Sequence, residues 1–220
     1  MKAILCVTLL AVFGSSIAQT LTTKCTHSKP PTPQDFVAAH HLAVTQPKAF
    51  AKLIDQYVKD PACPLKLFES LEKGCIKGAI SFLNSVSPRK GFTLDRVSAV
   101  TCMRHSKWMD SQKKMDHTGA NNSSPWDRVG QLGTLTGPAG ENLFQDVNLK
   151  HKSANYWVAG WIIDPSVLSR GHRNAIFNEQ FSKVGCYNYK NWPCCFYSTG
   201  IEFKTNLSPK DSADIKECGV

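Results

Sequence analysis

Apolar residues recur at helical spacing through the first half of the chain and at strand spacing near its end. Phe36, Val37, His40, Ala43 and Val44 share one helical face. Pro47 interrupts the pattern and suits the first turn of a second helix that carries Phe50, Leu53, Ile54 and Tyr57. Leu67, Phe68, Leu71, Cys75, Ile76, Ala79, Ile80 and Leu83 predict a third amphipathic helix, weakened at Gly74 and Gly78. After a turn at Pro88 and Gly91, Thr93 is placed to cap a longer helix. Its inner stripe is Leu94, Val97, Thr101, Cys102, His105, Trp108 and Met109, with His105 read as a core histidine. From His117 to Gly140 the chain is rich in Gly, Asn, Ser and Pro, with one helical turn around Trp126 to Val129. A loop of that length is where function concentrates. Ser153 to Ile163 is helical again and Pro165 stops it. Gly171 precedes a short helix through Phe177. Lys183–Tyr189 and Phe196–Phe203 are aromatic and β-branched, with a turn at Asn191 to Pro193, and predict strands. Helices first and strands last indicate an α+β class, not alternating βαβ units.

The first residues alter the compartment. Lys2, an apolar run from Ala3 to Phe13 and the small residues Ser16-Ile17-Ala18 make residues 1–18 a secretory signal peptide, with cleavage after Ala18. The run is too short to span a bilayer, and no later stretch is long and apolar enough. A secreted, extracellular protein without a transmembrane segment is expected. Residues 19–35 form an extended lead-in, 36–205 one domain and 206–220 a C-terminal tail.

Of nine cysteines, Cys6 leaves with the signal. Cys25, Cys63, Cys75, Cys102, Cys186, Cys194, Cys195 and Cys218 remain, an even set expected to be oxidised to disulfides. Eight cysteines allow about 105 connectivities. Cys63 with Cys75 is a local pair by spacing, and Cys186 could reach either Cys194 or Cys195 across a hairpin. Sequons at Asn121, Asn122 and Asn206 mark glycosylation positions. The net charge of +9 is scattered, without a dense basic run, which speaks against a nucleic-acid partner and for solubility. A monomer or weak dimer is expected.

Three distant segments each carry a polar residue beside a glycine: His117-Thr118-Gly119, Gly140-Glu141-Asn142-Leu143 and Gly171-His172-Arg173-Asn174. Two imidazoles and a carboxylate gathered in a cleft would form a partial metal site or a polar patch. The bland alternatives are a Glu141 that caps loop amides and a His172 bonded to Glu141 or a backbone carbonyl. There is no H-E-x-x-H and no G-x-S-x-G, so no complete hydrolytic constellation is visible.

Taken in order, these segments resemble the CAP superfamily, which comprises the cysteine-rich secretory, antigen 5 and pathogenesis-related 1 proteins and is also called SCP. Gly140-Glu141-Asn142-Leu143 is similar to that family's G-E-N segment. Gly171 to Phe177 is similar to the histidine motif of its bacterial-type and protist-like branch, and Lys183-Val184-Gly185-Cys186 to the strand that follows. The resemblance implies a disulfide-stabilised three-layer α-β-α sandwich with a short central antiparallel sheet. It also implies a cavity lined by His117, Glu141, His172 and Asp164, the last standing where the family has glutamate. In some members such a cavity binds zinc or another divalent cation, which here would fall to His117, His172 and Glu141. The function implied is an extracellular binding or signalling module with a lipid, sterol or protein partner, without established catalysis. The alternative is a metal-dependent, peptidase-like hydrolase that uses the same cavity.

Overall fold

A computed structural model describes residues 24–146 and 152–220. The expected signal peptide, residues 1–18, and the start of the expected lead-in lie outside the described residues.

Nine α-helices are found among the described residues: α1 Pro33–Thr45, α2 Pro47–Lys59, α3 Phe68–Leu71, α4 Cys75–Ser85, α5 Arg96–Gln112, α6 Pro125–Gly130, α7 Ala154–Ile163, α8 Gly171–Phe177 and α9 Pro209–Cys218. The strands are β1 Thr93–Leu94, β2 Gly133–Leu135, β3 Ala139–Leu143, β4 Lys183–Tyr189, β5 Trp192–Ser198 and β6 Ile201–Phe203. The main sheet runs β1-β4-β5-β3, and β2 pairs with β6 in a second, two-stranded sheet. β3, β5 and β4 are antiparallel, whereas β1 joins β4 in parallel, so the expected antiparallel sheet carries one parallel edge.

Every residue of β5 is buried, because helices cover both faces of the sheet. Strand alternation divides its side chains. Cys195 and Tyr197 enter the core beneath α1, α2, α4 and α7, while Trp192, Cys194 and Phe196 enter the core beneath α5 and α9. The result is a three-layer α-β-α sandwich. Gly185 of β4 lets α5 lie directly on the sheet, since a Cβ there would stand 2.3 Å from the Ala99 nitrogen and 2.4 Å from the Asp95 carbonyl oxygen.

The same alternation settles the disulfides. Cys195 bonds Cys186, its register partner on β4, and Cys194, pointing the other way, bonds Cys102 on α5. The third bridge ties the lead-in to the end of α2 through Cys25 and Cys63. The local pair Cys63–Cys75 does not form, and Cys75 and Cys218 are free, buried thiols instead of disulfide partners. They cannot pair with each other, because Cys75 belongs to one core and Cys218 to the core on the opposite face of the sheet. The Cys75 thiol donates to the Phe68 carbonyl at 3.4 Å.

Other departures have local causes. The long helix expected over Leu67–Leu83 is split into a 3-10 turn at Pro64–Leu67, then α3 and α4, because Gly74 takes φ +82° between them. Asp95, not Thr93, caps α5, its carboxylate accepting from the Ser98 N–H at 2.7 Å, and Thr93 is in β1. The hairpin turns at Lys190 and Asn191, both with positive φ, so β5 begins at Trp192. The tail segment 206–220 contains α9, which packs on α5. Three helices begin with the same device, Thr32-Pro33-Gln34-Asp35, Ser124-Pro125-Trp126-Asp127 and Ser208-Pro209-Lys210-Asp211. In each, hydroxyl and carboxylate cap reciprocally and the proline occupies the first turn.

Candidate functional site: two histidine–carboxylate pairs

Strand β3 carries Glu141 with its side chain only 2% exposed. One carboxylate oxygen accepts from His117 Nδ1 at 2.8 Å and the other from Arg128 Nη2 at 2.6 Å. Arg128 is delivered by α6, whose start is fixed by the Ser124–Asp127 capping box. Its Nη1 donates to the carbonyls of His117 and Ser123, each at 2.9 Å. One guanidinium thus holds both the backbone of His117 and the carboxylate that holds its ring. Gly119 makes room for this clamp, since a Cβ there would meet Arg128 Nη1 at 2.9 Å and His105 Nδ1 at 3.2 Å.

The second pair is built at the end of α7. Asp164 terminates the helix in the left-handed region, φ +53°, which turns its carboxylate back toward the start of α8. One oxygen accepts from His172 Nδ1 at 2.6 Å and the other from the His172 backbone N–H at 3.0 Å. The shorter aspartate therefore reaches its histidine from a C-cap position. Arg170 donates to the Asp164 carbonyl at 2.6 Å and forks onto Glu72, whose carboxyl it holds down at about 2. Arg173 satisfies the last carbonyls of α7 through Ile162 and Ile163.

Both carboxylates are acceptors only, so in each pair the proton on the bonded nitrogen is at Nδ1. Nε2 is then the unprotonated nitrogen of His117 and of His172, whose side chains are 57% and 25% exposed. β3 links the two pairs. Asn142, on the opposite face from Glu141, donates to the His172 carbonyl at 3.0 Å and to the Tyr197 hydroxyl at 3.1 Å. Tyr197 then donates to His40 Nε2 at 2.8 Å, and His40 Nδ1 donates to the Phe36 carbonyl at 2.8 Å. Burial pushes His40 down to about 4, so the ring is neutral and this chain of hydrogen bonds has a fixed direction. His105 is likewise pushed down to about 4 by burial, stacks on Trp108 and bonds the Asp116 carbonyl at 2.8 Å.

The structure therefore brings the four sequence-derived residues together as two pairs. It does not gather His117, Glu141 and His172 into one ligand set with atoms all within 4.8 Å of each other. Each Glu141 oxygen accepts one hydrogen bond, from His117 and from Arg128, so the carboxylate orients the His117 ring. Among the described residues, the group that meets that spacing is His40, Cys186 and Cys195. It is not suited to a metal, because Cys186 and Cys195 are a disulfide without thiolate charge and both His40 nitrogens are occupied. Asn121, Asn122 and Asn206 are all exposed, the first two in a 3-10 turn beside the Arg128 clamp. Sequence alone assigns no role to Arg128, Asn142, Tyr197 or the Glu72–Arg170 pair, although Arg128, Asn142 and Arg170 lie within or beside the motifs. The capping box just before Arg128 is the signal that would have drawn attention to it.

Among solved structures, an extracellular protein containing a SCP domain from Bacillus anthracis aligns at 22% identity and TM-score 0.43, over 64% of this chain and 44% of that one. A cysteine-rich secretory protein from Staphylococcus aureus aligns at 11% identity and TM-score 0.38, over 64% and 40%. An outer surface protein from Borrelia burgdorferi aligns at 15% identity and TM-score 0.37, over 63% and 91%. The chain spans less than half the length of the first two. Among curated proteins none matches. The family model of the cysteine-rich secretory proteins, CAP, matches residues 92–201, a stretch that holds both histidine–carboxylate pairs. Half of the chain is covered by that match, and the chain belongs to the CAP family.

Proposed function

We propose that this chain is a secreted binding module whose polar site holds a divalent cation through the Nε2 atoms of His117 and His172. The observation that carries this reading is that each buried carboxylate takes the Nδ1 of its histidine. That is the arrangement by which supporting carboxylates orient and strengthen imidazole ligands of zinc. Glu141 and Asp164 act as the supports, and Arg128 fixes the first of them. When bound, a divalent ion would supply positive charge for an anionic or carbonyl-bearing ligand. Water and ligand atoms would complete the coordination. Among the described residues no helix is long and apolar enough to cross a membrane.

Zinc titration by calorimetry at neutral pH tests the reading. One site per chain is expected, lost in His117→Ala and in His172→Ala. Glu141→Gln and Asp164→Asn should bind about 10–100-fold more weakly. Binding that survives both histidine substitutions would refute the assignment.

A further inference from the structure

Three leucines project into water on one ridge next to the His172 pair. Leu168, 94% exposed, stands at the tip of the loop that joins Asp164 to His172. Leu67 and Leu71, 57% and 62% exposed, lie one turn apart, with Phe68 between them turned into the core. The loop and this turn are fastened together. The Ser166 N–H donates to the Glu72 carboxylate at 2.9 Å, its hydroxyl donates to the Leu71 carbonyl at 3.3 Å, and Arg170 forks onto Glu72. Isolated surface leucines are ordinary, but leucines gathered and held rigidly on one ridge mark a contact surface.

The surrounding charge selects the kind of contact. The two carboxylates on this segment are each engaged by local partners. Glu69 accepts from the backbone N–H groups of Gly74 and Ile76 at 2.7 and 3.2 Å, and Glu72 is held by Arg170. Lys66, Lys73 and Lys77 are exposed, and among the described residues no carboxylate lies within 4.0 Å of their ammonium groups. Apolar tips in a cationic frame match an anionic bilayer. Leucines enter the boundary between headgroups and acyl chains, and ammonium groups meet the lipid phosphates and carboxylates. A second copy would set three lysines against three lysines, which disfavours self-association through this face.

We propose that the ridge of Leu67, Leu71 and Leu168, framed by Lys66, Lys73 and Lys77, docks on anionic membrane surfaces. Docking there turns the loop between Asp164 and His172 toward the lipid. The proposal does not depend on a metal at the histidine pairs, and a failed zinc titration leaves it standing.

Flotation of the full chain with vesicles of phosphatidylcholine alone, and with phosphatidylserine added, tests it. Binding is expected to require phosphatidylserine and to fall as salt rises. Leu168→Asp should weaken it by about tenfold or more, as should the triple change of Lys66, Lys73 and Lys77 to Glu. Near-UV circular dichroism of these variants should match the parent, because the altered side chains are exposed. No flotation with either vesicle, equal flotation with both, or full binding by Leu168→Asp would overturn the proposal. Sedimentation that showed self-association abolished by Leu168→Asp, without vesicle binding, would assign the ridge to a second copy and overturn it too.

Discussion

At the scale of single residues, the site depends on charges buried in matched sets. Glu141 is almost wholly buried, and Arg128 is its permanent counter-charge. Arg128→Ala leaves the carboxylate unpaired, so unfolding by urea should show a loss of about 3–5 kcal/mol. Glu141→Gln should cost less, because it removes the charge and keeps the shape. Equal losses would mean that the guanidinium matters only as packing. The buried histidines make a separate prediction for acid. His40 and His105 are both lowered from their ordinary value to about 4. Between there and about pH 6.5 the unfolded chain binds protons that the folded chain does not, so stability is complete above that range and falls as pH drops through it. The loss should approach about 3 kcal/mol per histidine near the lower end. Urea midpoints measured across that range should decline steadily with acid, and less steeply in His105→Gln. A flat profile would contradict neutral, buried rings. His117, Glu141 and His172 are marked in sequence by the motifs around them, and Asp164 by standing where the resemblance has glutamate. Arg128 and Tyr197 are not, since the role of Arg128 follows from how the loop folds back on α6, and that of Tyr197 from strand facing and from side chains 55 and 157 residues away.

At the scale of elements, adjacent cysteines with opposite facing bind the sandwich together. Cys194 fastens β5 to α5 across 92 residues of sequence, while Cys195 closes only 9. Chain-entropy arguments assign about 4–5 kcal/mol to the longer link and about 2–3 to the shorter. Thermal unfolding of Cys102→Ser with Cys194→Ser should therefore fall well below that of Cys186→Ser with Cys195→Ser. The reverse order would mean that local strain, not loop closure, governs these bridges. Sequence spacing alone favoured Cys63 with Cys75, because proximity along the chain is visible and the face on which a side chain emerges is not. The C-terminal helix shows the opposite failure. Ser208-Pro209-Lys210-Asp211 is as clear a start as the two like it, yet the weakly apolar segment behind it reads as a tail. Its packing on α5 relies on Arg104, which reaches both Asp211 and Asp214 at 2.6 Å. Ser208→Ala should cost about 1 kcal/mol by loss of the cap. Hydrogen exchange should localise that loss to α9, and an unchanged exchange pattern there would show the cap to be dispensable.

At the scale of the whole molecule, a sheet covered on both faces leaves β3 as the strand where the two layers meet polar chemistry. Glu141 serves one histidine from one face, and Asn142 serves the backbone of the other from the opposite face. The order of helices and strands made the α+β class readable from sequence. The three layers came from the resemblance, and the parallel edge strand was hidden because two residues carry no periodicity. The pairing of each histidine with its own carboxylate was hidden for another reason, since sequence shows which residues are polar but not which nitrogen of a ring is engaged. Nitrogen-15 resonance spectra of the histidine rings test that pairing most directly. His117 and His172 should both be protonated at Nδ1 near neutral pH, and added zinc should shift their Nε2 signals alone. Protonation at Nε2, or zinc shifts at other histidines, would contradict a site built from two carboxylate-supported imidazoles.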